Sequence, residues 1–158
     1  MTPAGSDPVL AVPKQEVRVR VRTTLGDFDA VAFVGDNSAQ TFGPERVGEV
    51  LANPEPFLPL REAGSERVLV YAKRGIQSLT VLEPERVRHE IGELVLGQPE
   101  PVEVTLADGS AVRGTVYLDP RPEKSRVSTL LNQPEPFLAL VSDDGVTYVG
   151  KEHILRVE

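Results

Sequence analysis

Arg18, Arg20 and Arg22 alternate with Val17, Val19 and Val21. In an extended chain successive side chains point to opposite faces, so the three guanidinium groups share one face and the valines the other. Guanidinium groups grip phosphate and carboxylate oxygens, which makes this strand the best local anion site in the chain, suited to RNA or a nucleotide. The same spacing also describes a solvated strand whose like charges deter edge-to-edge aggregation. A net charge of −7 argues against a broad nucleic-acid surface. Other chemistry is scarce. There is no Cys, which excludes disulfides, thiolate metal sites and cysteine nucleophiles. His89 and His153 are the only histidines, and neither has a second histidine at ligand spacing. Asp143 and Asp144 lack the further oxygen ligands of a calcium loop. Asp27, Asp108, Asp119 and Asp143 fall in expected turns, where aspartate bonds locally, and no serine sits in a nucleophile elbow. No catalytic residue, metal site or cofactor is therefore expected.

Two further patterns resemble known sites. The stretch Gly145 to Glu152, GVTYVGKE, is similar to a phosphate-binding P-loop, but glutamate follows the lysine where a hydroxyl residue would hold magnesium. Arg121 and Arg126 resemble the spaced arginines of PilZ cyclic-dinucleotide barrels, without the Asp-x-Ser-x-x-Gly element that follows there. Lys73 and Lys151 are expected to close corners by bonding backbone carbonyls.

What must position these residues is an internal repeat. RVGEVLANPEPFLPLR at Arg46 to Arg61 and RVSTLLNQPEPFLALV at Arg126 to Val141 share nine of sixteen residues at an offset of 80. VYAKRGIQSL from Val70 then aligns with YVGKEHILRV from Tyr148 at an offset of 78. Such self-similarity decides the fold before any local pattern does. Each copy opens on an alternating strand, from Val17 or Val102, and a second strand ends near Val34 or Leu118, the second copy turning at Asp108 and Gly109. A short helix follows, with Val47, Val50 and Leu51, or Val127, Leu130 and Leu131, on one face. Pro44 suits the first turn of one helix and Ser125 the cap of the other, and Pro54 and Pro134 stop them.

The repeated PEPFL leads into a third strand, with Phe57 and Phe137 expected in the core against the helix face. A fourth strand, a tight corner at Lys73 or Lys151 and a short fifth strand complete each copy. Between the copies, Pro84 to Leu96 carries Val87, Ile91, Leu94 and Val95 at helical spacing, and reads as an amphipathic connecting helix weakened by Gly92. The expected organisation is a disordered tail over 1–14, one repeat over 15–82, a linker helix over 83–99 and the second repeat over 100–158.

VEVTLADGSAVRGTVYL from Val102 and the terminal YVGKEHILRVE resemble the first hairpin and the closing corner of Sm-like and SH3-type small β-barrels, in a bacterial branch with two barrels fused. The resemblance implies a mainly β chain of two tandem five-stranded barrels, each with a short helical insertion. Two such units, near the lower size limit for independent folding, gain by packing on each other. The expected function is non-enzymatic binding or scaffolding, through a protein partner or self-association. The alternatives are an RNA- or nucleotide-binding module using the arginine-lined strand and an enzyme with an unrecognised site. With no basic, apolar leader and no run of about 20 apolar residues, the expected setting is cytoplasmic, away from membranes.

Overall fold

The computed structural model describes residues 14–158. The tail expected over 1–14 lies outside the described residues except for Lys14, which opens the first strand.

Strands β1 (Lys14–Thr23) and β2 (Gly26–Gly35) form a ten-pair antiparallel hairpin, followed by helix α1 (Val47–Ala52), β3 (Phe57–Glu62) and β4 (Val68–Ala72). A one-turn 3-10 corner at Lys73–Gly75 leads to β5 (Ile76–Val81). After helix α2 (Pro84–Ile91), the second copy repeats the order as β6 (Gln98–Leu106), β7 (Ala111–Leu118), α3 (Val127–Leu131), β8 (Phe137–Ser142) and β9 (Gly145–Gly150), then a corner at Lys151–His153 and β10 (Ile154–Val157). Val17, Val19 and Val21 are buried on one face of β1, as are Val102, Val104 and Leu106 on β6, so the period-two pattern sets which face is the core.

The ten strands form one open antiparallel sheet in the order β10-β6-β7-β8-β9-β5-β1-β2-β3-β4. Within each copy the fifth strand lies beside the first, and the fifth and fourth strands end the copy on opposite sides. Neither copy closes on itself, and two tandem closed barrels are not what the pairing gives. Instead β9 finds its second partner in the other copy, with Ser78 to Val81 of β5 opposite Val149 to Val146. An unpaired strand edge seeks a partner, and here the junction between copies supplies it.

Two apolar clusters lie under this sheet. The first belongs to copy one but also takes in Val146 and Tyr148 of β9, with Phe137, Ala139 and Val141 packed against it. The copies therefore share a core across the junction. The linker is shorter than its apolar spacing suggests: α2 ends at Gly92, whose φ of +46° is one that L side chains rarely adopt, and a 3-10 turn follows at Leu94–Leu96. Val87 and Ile91 pack on the first core, whereas Val95 is half exposed.

Candidate functional site

The three arginines of β1 stand on the sheet face away from the valines, as the alternation requires, but they share it with acids. Register sets Arg20 opposite Asp29 and Arg22 opposite Asp27 on β2. Arg20 Nε donates to Asp29 Oδ1 at 3.1 Å, and Arg22 Nε lies 3.7 Å from Asp27 Oδ1. At Arg18 it is the backbone N–H that donates to Glu83 Oε1, at 2.7 Å. Arg121 is likewise occupied, forking onto Asp119, whose carboxyl it holds well below the usual carboxylate range. The P-loop-like stretch is strand β9 and its corner, with no long helix to receive phosphates. Among the described residues no three His, Asp or Glu side chains converge as a metal site would need, and no helix is long and apolar enough to cross a membrane.

The two lysine corners do what their place in the repeat suggests. Lys73 Nζ donates to the carbonyls of Val50 (2.7 Å) and Asn53 (3.1 Å) and to Asn53 Oδ1 (2.7 Å). Lys151 Nζ donates to those of Leu130 (3.3 Å) and Gln133 (3.0 Å). Each satisfies carbonyls orphaned at a helix C-terminus. Burial lowers the pKa of both ammonium groups, against the opposing pull of Glu55 on Lys73 and Glu135 on Lys151. The helix starts differ from expectation: Arg46 and Arg126 hold the cap positions. Arg46 N–H donates to Glu49 Oε2 at 2.7 Å, while Ser125 Oγ donates to the Pro122 carbonyl.

The two PEPFL motifs converge on one groove of about 630 Å³ at the junction, lined by Pro54, Phe57, Ile76, Pro134, Phe137 and His153 among others. His153 Nε2 donates across it to the Arg74 carbonyl at 2.6 Å. Phe57, however, is 54% exposed, so it is not a core residue; Leu58 and Leu60 fill that role, and Phe57 takes the opposite face. Phe137 is half-buried, packed against the other copy's core.

That difference extends over a whole face. On β8 and β9 the pairs Phe137–Gly150, Ala139–Tyr148 and Val141–Val146 share the side onto which α1 and α2 pack. Tyr148 is buried there, and its hydroxyl donates to the Glu90 carboxylate on α2. Burial and the neighbouring Glu90 charge push the phenol pKa far up. Glu90 also accepts from the N–H groups of Val47 (2.7 Å) and Gly48 (3.0 Å), so a buried carboxylate closes the open N-terminus of α1. The equivalent face of copy one, on β3 and β4, is formed by the pairs Phe57–Ala72, Pro59–Val70 and Arg61–Val68. Nothing among the described residues covers it: Val70 is 67% and Val68 50% exposed. Beyond it, β4 is an open edge of the sheet, and β10, with Leu155 69% exposed, is the other.

Pro54, Pro134, Phe57 and Phe137 are thus brought together, and Arg18, Arg20 and Arg22 are not among the residues around that groove. Sequence reasoning passed over Val68, Val70, Leu155, Tyr148 and Glu90. The alignment of the copies held a signal for two of them, since Tyr148 stands over Val70, and it also sets Gly48 over Ser128. Compared with known proteins, the chain matches no family model, no curated protein and no solved structure.

Proposed function

We propose that this chain is a non-enzymatic assembly module that binds protein through the outer face and open edge of β3 and β4. Its strand order supports reading each half as an SH3- or Sm-like unit left unclosed. The observation that carries the proposal is the exposed apolar set Phe57, Val68 and Val70 beside the strand edge of β4 that no described strand pairs. Edge strands expose backbone donors and acceptors that pair with an added strand, and isolated proteins blunt such edges. Contiguous apolar groups on that edge favour occupation over solvation.

Affinity capture from the native cells, with and without nuclease, tests this reading. The full chain should retain a protein that nuclease does not release, and Val70→Lys should lose it while keeping the same melting temperature. Capture that survives Val70→Lys, disappears with nuclease, falls steeply with salt and is abolished by Arg18, Arg20 and Arg22→Ser would instead identify the arginine-lined strand as the working surface.

A further inference from the structure

We infer that the partner on the β3–β4 face is a second copy of this same chain, joined head to tail so that β10 and α3 of one copy repeat against β4 the junction that β5 and α1 make with β9. This rests on the protein-binding reading of that face and adds the identity of the occupant.

The chain already contains one such junction, and its strand β5, its helix α1 and its receiving face on β9 each have an uncovered counterpart; α2, which also packs on β9, has none among the described elements. β5 is almost wholly buried beside β9, whereas β10, its equivalent, ends the sheet; Gln77 is 5% exposed and its counterpart Leu155 69%. Helix α1 buries Val47 and Leu51, whereas Val127 and Leu131 of α3 are only half-buried. On the receiving side, Val146 and Tyr148 are buried and their equivalents Val68 and Val70 exposed. The surfaces that the described residues leave open at the two ends of the molecule therefore correspond to the β5–α1 half and the β9 half of the interface seen in its middle. A heterologous contact of this kind propagates from copy to copy until the array closes or extends.

Register and volume both fit. Within the chain Ser78, Leu79 and Thr80 lie opposite Val149, Tyr148 and Thr147. The repeat transfers this to Arg156 opposite Tyr71, Val157 opposite Val70 and Glu158 opposite Leu69. At the internal junction Gly48 must be small, since a Cβ there would lie 2.8 Å from Tyr148 Oη. Between chains the pair becomes Ser128 and Val70: the helix residue grows and the strand residue shrinks. The two junctions are not identical. Gly150 admits no Cβ, which would meet the Ile76 carbonyl at 2.7 Å, so its counterpart Ala72 makes the second junction wider at that end.

The test is a mixing experiment on the full chain, read by light scattering after size-exclusion chromatography. Wild type should run as a multiple of the chain mass. Val70→Lys and Leu155→Lys, both at positions exposed in the single chain, should each run as monomers that unfold cooperatively, with similar melting temperatures that do not vary with concentration. Mixed in equal amounts they should form one dimer, because each variant retains the half that the other lacks. A wild type that is monomeric across the concentration series overturns the inference. So does a Leu155→Lys chain that still assembles, which would mean β4 pairs with β4, or a mixture that stays monomeric. If a chain lacking residues 1–13 assembles while the full chain does not, the face belongs to that segment and the inference also fails. A monomer whose captured, different protein is lost in Val70→Lys would end the self-assembly inference and leave the protein-binding reading standing.

Discussion

The fourth strand occurs twice in this molecule under two conditions. β9 has a strand on either side and a helix over its outer face; β4 has one neighbour, and no described residue covers its outer face. The sequence difference between them follows that division. Where the face is covered, the repeat places Tyr148, a large ring with a polar tip that reaches Glu90; where it is open, it places Val70. Lys73 and Lys151 are the same in both copies because the helix end they close is the same. The lysines that close each copy's own helix are kept and Tyr148 and Val70 differ with what lies across them, whereas Phe57 and Phe137 are the same residue in different surroundings.

The largest effect expected from this comparison is at Tyr148. Tyr148→Ala should cost about 3–5 kcal/mol, as removal of a buried ring does, and it also leaves the Glu90 carboxylate short of a donor. Val70→Ala, at the equivalent position, should stay within about 0.5 kcal/mol, as exposed substitutions do. Both belong in the Leu155→Lys background, where only the single chain is present, and urea unfolding monitored by circular dichroism reads them. Equal costs at the two sites would mean that β4 is covered in the single chain.

Phe137 and Phe57 should divide in the same sense by less. Phe137→Ala removes a half-buried ring from the shared core and should lower stability by roughly 2 kcal/mol, below the full-burial range. Phe57→Ala in the same background should change it by less than about 0.5 kcal/mol. A cost at Phe57 as large as that at Phe137 would restore it to the core and remove it from the docking face.

The smallest difference concerns the corners, where the comparison predicts similarity. Lys73→Met leaves two helix-end carbonyls and Asn53 without their donor and should cost about 1–3 kcal/mol. Lys151→Met should cost about 1 kcal/mol, since it makes fewer bonds and lies nearer to water. Thermal melts of the two variants check this order, and a Lys151 variant less stable than the Lys73 variant would reverse it.

Local periodicity made much of this legible. The alternation from Val17, the Asp108–Gly109 turn, the helix stops at Pro54 and Pro134 and the lysine corners all depend on neighbours within a few residues, and the structure has them. The open sheet was not legible, and two closed barrels were expected in its place, because which fifth strand meets a given fourth strand is a choice between partners of equal local quality. Pairing of β5 with β9 spans 67 residues, from Thr80 to Thr147, and nothing near either strand marks it. Phe57 misled by its size, although Leu58 and Leu60 at alternate positions already pointed inward. Glu90 was invisible for a different reason: a glutamate in an exposed-looking helix gives no sign that α1 brings its unpaired N–H groups to it.

Repetition of the β5–β9 junction between chains is read strand by strand by amide hydrogen exchange on wild type and on Leu155→Lys at the same concentration. β5 and β9 should be protected in both proteins, while the outward amides of β4 and β10 should be protected in wild type and exchange rapidly in the variant. Rapid exchange of β4 and β10 in wild type, at a concentration where the chain is meant to assemble, would contradict it.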